Sequence, residues 1–141
     1  MITYSTEDSI MPKFPRRRVS SWIKNVAQQF NKRVGDINFI FCSENKILEL
    51  NNAYLKHDYF TDIITFDYSD QNCIAGDLFI SIETVRSNAE IFNEPFIKEL
   101  YRVMIHGILH LCGIKDKEET ERITMKKYEN EALELFDKSC Q

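Results

Sequence analysis

Apolar residues recur along the chain at two spacings, and each spacing predicts one kind of element. Between Pro15 and Gly35 they return every three or four positions, which predicts an amphipathic helix that begins at Pro15 and ends towards Gly35. Beyond it, apolar and polar residues alternate through Ile37, Phe39 and Phe41, as in a half-buried strand. Because the two spacings then succeed one another along the chain, we expect helices interleaved with a small sheet.

The middle and end of the chain predict a hairpin and four further helices. Segments 62–68 and 74–80 are rich in β-branched and aromatic residues and flank a polar turn, so they predict a β-hairpin. Ser43 and Ser81 each precede helical spacing and are predicted N-caps, and Pro95 suits the start of a helix that carries two histidines. The last predicted helix has its apolar stripe at Met125, Tyr128, Ala132 and Leu135.

The composition is that of one ordinary globular domain. The chain has 141 residues, of which 43% are hydrophobic and 28% charged, and this length is too short for two average domains. We expect a single domain over residues 1–141 of the α/β (α+β-like) class. It should have a small mixed β-sheet of about four strands packed with helices, and the histidine helix should lie in the core.

The sequence also carries expectations about location. No apolar run is long enough to cross a bilayer, and the N-terminal residues lack the basic start of a signal peptide. The four cysteines are scattered without a C-x-x-C pair, which fits reduced thiols better than disulfides or a cysteine zinc site. We therefore expect a cytoplasmic protein with no membrane partner.

Segment 106–116 has the spacing of a metal site. His106 and His110 are four residues apart, so on a helix they lie about 40° apart on one face. The surrounding helix is apolar on almost every side, and a buried imidazole is costly unless its nitrogens find partners. Gly113 suits a left-handed helix end, after which the chain can return Asp116 towards the pair as a third ligand. We expect one zinc ion held by His106, His110 and Asp116.

Two positions in this segment leave alternatives open. Gly107 stands where the related metalloprotease motif has its general-base glutamate, which argues against a peptidase. A glycine here is expected to let another backbone or a substrate approach the metal closely. Asp116 also begins a D-x-x-E pattern, so it is a candidate N-cap of the last helix as well as a ligand. His57 and Asp62 are the distant rivals for the third ligand position.

Three blocks of the sequence resemble the YbeY family of single-strand-specific endoribonucleases. Segment 106–116 is similar to the family's H-G-x-L-H-L-x-G-x-D-H signature, segments 50–54 and 61–66 to its L-N-x-x-[YF] and T-[DN]-V-L-S-F block, and segment 76–81 to its G-D-I-x-I-S strand. The resemblance implies a small mixed sheet with packed helices. It also implies action on single-stranded RNA, ribosomal RNA and the ribosomal small subunit.

The chain departs from the family pattern at the predicted RNA contacts. The arginine that usually follows the [YF] is replaced by Leu55, and Asp116 replaces the final histidine of the signature. Lys56 and His57 are the nearest residues able to contact a phosphate, although both also suit a solvated loop. The remaining candidates form a basic cluster near the N-terminus, which equally suits the solvated face of a helix: Arg16, Arg17 and Arg18.

Three functions remain after this comparison. The first is a zinc-dependent, single-strand-specific endoribonuclease for ribosomal RNA maturation, at the 3′ end of the small-subunit RNA, and for ribosome quality control. The second is a metal-dependent hydrolase of another substrate, and the third is a non-catalytic ribosome-assembly factor with a structural metal. The net charge of −4 is not that of a general nucleic-acid binder, and no DNA partner is expected. The RNA assignment rests on the resemblance, and a metal-bound water is the only catalytic group assigned.

Overall fold

The computed structural model describes residues 1–55 and 61–139, which form one sheet with helices packed against it. The strands are β1 (Ile2–Glu7), β2 (Arg33–Cys42), β3 (Ile63–Asp67) and β4 (Cys73–Ser81). The α-helices are α1 (Arg16–Gln29), α2 (Glu44–Leu50), α3 (Ile82–Ile91), α4 (Phe96–Leu111) and α5 (Glu119–Lys138). A π-helical turn at Asn51–Leu55 follows α2. Over the described part of the chain, every helix is too short or too polar to cross a bilayer.

The sheet is mixed, as the sequence predicts. Its strand order is β1-β2-β4-β3, with β1 parallel to β2, β2 parallel to β4, and β3 antiparallel to β4. β3 and β4 form the predicted hairpin. Residues 2–7, which carry no predicted strand, form β1 and pair with β2 from Ile2 opposite Ile37 onwards.

The predicted starts of α2, α3 and α4 are confirmed, but the predicted end of α1 is wrong. The hydroxyls of Ser43 and Ser81 accept hydrogen bonds from the N–H groups three residues ahead and cap α2 and α3. α1 ends at Gln29, and Asn31 takes the left-handed conformation, with φ 61°, that turns the chain towards β2. Gly35 lies inside β2, where the pairing with β4 shifts register. A Cβ there would lie 2.9 Å from Cys73 Sγ, so the glycine permits a close approach of neighbouring strands.

Helix α4 lies in the core, as predicted. Ten of its 16 residues are buried, and they pack against the sheet, α1, α3 and α5. Three half-buried residues on α4 are spaced by four: Arg102, His106 and His110. Residues at this spacing share one helix face, so the fold presents both histidines and an arginine on the only part of α4 that solvent reaches along this stretch.

Candidate metal centre

Three donor atoms meet beside the exposed face of α4. His106 Nε2 lies 3.0 Å from His110 Nε2 and 3.2 Å from Asp116 Oδ2, and the third side of the triangle, His110 Nε2 to Asp116 Oδ2, is 3.3 Å. The three side chains keep between 23% and 32% of their surface exposed, so solvent reaches them. The structure thus brings together the three residues that the sequence predicts as ligands.

The spacing of these atoms fits a tetrahedral metal ion. Zinc bound at about 2.0–2.1 Å requires ligand atoms roughly 3.3–3.4 Å apart, so the present triangle would need to open by only a few tenths of an ångström. Two imidazoles and one carboxylate also form a ligand set that zinc accepts. In the described part of the chain no other histidine, cysteine or acid joins this group. The group could therefore hold one metal ion by three ligands and leave further coordination positions open.

The turn after α4 carries Asp116 back to the histidines. Gly113 has φ +99°, a conformation that favours glycine, and Ile114 N–H donates to the carbonyl of Leu109 across the reversal. The predicted N-cap role of Asp116 is wrong, because α5 begins after Glu118, whose N–H donates to the Glu121 carboxylate at 3.0 Å. Asp116 therefore lies clear of the helix end and faces the histidine pair.

Glu129 is a fourth residue of the candidate site, and no local sequence signal places it there. Its Oε2 accepts a hydrogen bond from His106 Nδ1 at 2.5 Å, and its Oε1 accepts one from Arg102 Nη1 at 3.0 Å. Arg102 is held in turn by Asn130 Oδ1 at 2.9 Å. A carboxylate on Nδ1 fixes the ring and its tautomer, so that Nε2 presents its lone pair to a metal.

Burial and neighbouring charges shift the pKa values of the two imidazoles in opposite directions. Burial lowers the pKa of His106, but the hydrogen bond and charge of Glu129, with the charges of Asp116 and Asp62, outweigh it, and the pKa is raised overall. The pKa of His110 is lowered by burial and by the neighbouring His106, and Asp116 offsets this only in part. Without metal, His106 is therefore the imidazole that keeps its proton to higher pH.

A cleft of about 960 Å³ lies beside the three donor atoms. One wall is the exposed face of α4 and another is the segment 61–67, which includes β3. Asp62 lines this cleft, and burial raises the pKa of its carboxyl, but it is not a member of the three-residue group. Of the rivals for the third ligand position, Asp62 is thus a neighbour of the site, and His57 lies outside the described residues.

The arginines predicted to contact RNA near the N-terminus do not line this cleft. Lys56 and His57 lie outside the described residues, so their role stays a prediction. Arg18 donates to the carbonyl of Phe136 at 2.7 Å and its guanidinium lies 3.9 Å from the centre of the Phe136 ring, which ties α1 to α5. Arg16 and Arg17 are exposed and line a separate surface hollow beside β1, at the far edge of the sheet from β3.

Gly107 makes room for the sheet, and the expectation that it makes room at the metal is wrong. A Cβ at this position would lie 2.3 Å from Leu78 Cδ2 and 2.8 Å from Ile63 Cδ1. The glycine lets α4 sit close against β3 and β4, which places the histidines at the sheet edge. Cys112 packs in the core, burial raises the pKa of its thiol to about 11, and it is not a member of the three-residue group.

Comparison with known proteins identifies the family of the chain. The family model described as Endoribonuclease YbeY matches residues 2–137. The chain belongs to the YbeY family. A protein named Endoribonuclease YbeY from Phocaeicola vulgatus is 58% identical over 136 residues, which are 96% of this chain and 99% of that protein. A protein of the same name from Porphyromonas gingivalis is 44% identical, and the match covers 98% of this chain and 91% of that protein.

A solved structure supports the YbeY fold. The solution structure of TM1509 from Thermotoga maritima has a TM-score of 0.65 and 28% sequence identity, and the match covers 99% of this chain and 93% of that one. The family resemblance and the mixed α/β fold predicted from the sequence are both confirmed.

Proposed function

We propose that this chain is a zinc-dependent endoribonuclease that cleaves single-stranded RNA. Its expected substrate is ribosomal RNA, at the 3′ end of the small-subunit RNA, and its expected place is ribosome maturation and quality control in the cytoplasm. Membership of a family whose relatives are named endoribonucleases supports the reaction class. The convergence of three donor atoms beside an open cleft carries the metal-dependent part of the proposal.

The residues fit a catalytic metal better than a structural one. Structural zinc sites are normally closed by four protein ligands, whereas catalytic sites keep a position for water or substrate. Here His106, His110 and Asp116 supply three ligands, and the cleft lies on their solvent side. This arrangement favours the enzyme over the assembly factor with a structural metal. When bound, the metal would supply an acidic water and charge stabilisation at a phosphoryl oxygen.

The chain's own residues prepare the ligands for that metal. Glu129 holds His106 by Nδ1, and Arg102 holds Glu129 by its other carboxylate oxygen. Because hydrogen bonds hold both Glu129 and Arg102 in place, the His106 ring is already oriented before a metal ion binds. A peptidase is disfavoured, since Gly107 supplies no carboxylate and its position faces Leu78 in the sheet.

Metal analysis of the purified protein, alongside cleavage of a labelled single-stranded RNA, tests the proposal. We expect about one equivalent of zinc, cleavage of the single strand, and little cleavage of the same sequence in a duplex. His106→Ala and His110→Ala should lose both zinc and cleavage. Circular dichroism shows whether each variant still folds.

Metal content that is unchanged in both histidine variants would disprove the metal centre. A wild-type protein that holds zinc but leaves the RNA intact would disprove the nuclease activity. That result would favour the alternative of a non-catalytic assembly factor with a structural metal.

A further inference from the structure

A second cavity, of about 540 Å³, opens from the metal centre on the side of α3 and α5. It shares His106, Asp116 and Glu129 with the cleft, so the two spaces meet at the donor atoms. Its volume lies within the range of sites that hold small ligands or one unit of a polymer. The residues that line this cavity and not the cleft are Phe92, Glu94, Arg122, Met125 and Lys126.

Three of the four acidic residues of this cavity already have partners. Glu129 is engaged by Arg102 and His106, Asp116 faces the two histidines, and Glu94 lies 3.5 Å from Lys98. The fourth, Glu99, is buried. These carboxyls therefore repel a polyanion less than their number suggests.

Two cations on α5 lack such acidic partners. Arg122 and Lys126 are both exposed and are four residues apart, so they share one face of the helix beside the cavity. Arg122 donates to the carbonyl of Lys117 at 2.6 Å. Over residues 1–55 and 61–139, no carboxylate lies within ion-pair distance of Arg122 or Lys126. Neither charge is neutralised by a carboxylate of the described residues, so both can attract a phosphate.

An exposed aromatic ring stands at the rim of the same cavity. Phe92, at the end of α3, keeps 61% of its surface exposed. Every base has a flat face, and stacking on an aromatic side chain is a usual way to hold an unpaired base. Among the described residues that line the cleft on the β3 side there is no Phe, Tyr or Trp. The cavity combines a stacking surface with two cations beside the donor atoms.

We propose that this cavity binds the nucleotide next to the cleaved phosphate of a single-stranded RNA. Lys126 and Arg122 contact the backbone phosphates, and Phe92 stacks on the base. The inference rests on the proposed nuclease function and names where one nucleotide of its substrate binds. A base paired in a duplex has no free face for Phe92, so the same contact favours single strands.

Charge reversal at neighbouring lysines tests the phosphate contact. Lys126→Glu and Lys127→Glu change the net charge equally and lie on the same helix, but only Lys126 lines the cavity. With a 2′-O-methyl RNA that gel electrophoresis shows to stay intact during the measurement, we expect Lys126→Glu to raise Kd about fivefold or more and to reduce the slope of log Kd against log salt by about 0.7. Lys127→Glu should stay within about twofold of wild type at moderate salt. Zinc content should be unchanged in both.

Lys126 is the decisive cation because Arg122 has a second role. The carbonyl that Arg122 holds belongs to the residue directly after Asp116, so its substitution would also disturb a predicted ligand. Lys126→Glu should raise KM for RNA cleavage and leave kcat nearly unchanged. An equal effect of Lys126→Glu and Lys127→Glu would overturn the proposal.

A fluorescent base tests the stacking contact. RNAs that carry 2-aminopurine at successive positions should show one position that is quenched by wild type and by Phe92→Trp, and not by Phe92→Ala. Ile91→Ala is the matched control, since Ile91 is also a large exposed apolar residue at the end of α3. Quenching that survives Phe92→Ala would overturn the stacking role. If the wild-type protein neither binds nor cleaves RNA, the proposed function itself fails. If it does both, but each variant behaves like its control, only the proposed nucleotide site is wrong.

Discussion

Asp116 distinguishes this candidate metal centre from one built on three imidazoles. An anionic ligand leaves a bound zinc ion less electrophilic than a neutral imidazole does, and its removal takes away both a donor atom and a charge. Because α5 is capped by Glu118 and Glu121, a substitution at Asp116 changes the predicted site without removing a helix cap. The ligand role can therefore be tested with little effect on folding.

We predict that Asp116→Asn loses most of its zinc affinity and that Asp116→His retains zinc. The amide is a weak ligand, whereas an imidazole at this position completes a three-histidine set. Zinc stoichiometry after dialysis and competitive titration with a chelator measure both outcomes. Glu118→Gln, which alters an acid two residues away, should keep wild-type affinity. Full zinc affinity in Asp116→Asn would show that the two histidines bind without it.

Glu129 should act on metal binding through His106. We predict that Glu129→Gln weakens zinc affinity about 10- to 100-fold, because carboxylates that hold metal-ligating histidines have effects of this size. Nitrogen NMR of His106 should show the Nε2-unprotonated tautomer in wild type and a mixture in the variant. The control is Glu131→Gln, an exposed acid on the same helix. Equal zinc affinity in Glu129→Gln and wild type would contradict the positioning role.

At the scale of elements, Gly107 decides how closely α4 approaches the sheet. Alanine is the better helix former by about 1 kcal/mol, so Gly107→Ala would stabilise an exposed helix. Here the new methyl group would overlap Leu78, which is fully buried, so the leucine can move only by displacing its own neighbours in the core. Overpacking of a core costs about 1–3 kcal/mol and outweighs the gain in propensity.

We predict that Gly107→Ala lowers the free energy of unfolding by about 1–3 kcal/mol in urea denaturation. The double variant Gly107→Ala/Leu78→Ala should be more stable than the sum of the two single changes, because the methyl group then occupies space that the leucine leaves. Strict additivity would show that contact with Leu78 is not the cause.

Most elements follow from local sequence, and the exceptions share a cause. Serine caps and helical spacing are local signals, so α2, α3 and α4 are predicted well. β1 was missed because Ile2 and Tyr4 are its only apolar alternating residues, and its stability comes from parallel pairing with the distant β2. The exit of α1 was misplaced because asparagine, like glycine, adopts the left-handed conformation, and Asn31 comes first.

The same distinction holds for the candidate site. His106, His110 and Asp116 lie within 11 residues, so spacing alone groups them. Glu129 reaches His106 from another helix, 23 residues away, and no local rule joins them. A signal did exist, because Glu129 falls on the buried face of α5 with Met125 and Ala132. A lone acid on an apolar stripe needs a buried partner, and the nearest unexplained imidazole was a reasonable candidate.

For the whole molecule, metal binding and protons should compete at His106. Its folded pKa is raised above the ordinary 6.5, so its contribution to the stability of the metal-free protein is complete below pH 6.5 and is lost as the pH rises through the raised value. The pKa of His110 is lowered, so this imidazole is already neutral in that window. Above pH 6.5 the metal-free protein should therefore lose stability while its affinity for zinc increases.

We predict that the stabilisation by zinc grows between pH 6.5 and about pH 8, because zinc no longer has to displace the His106 proton. Zinc at 100 times its dissociation constant stabilises a folded protein by about 2.7 kcal/mol, which is large enough to measure as a shift in Tm. Thermal unfolding at both pH values, with zinc and with a chelator, gives the two stabilisation increments. Asp116→Asn serves as the control and should show little zinc-dependent shift at either pH. An increment that stays constant, or that decreases towards pH 8, would mean that His106 does not exchange a proton for the metal.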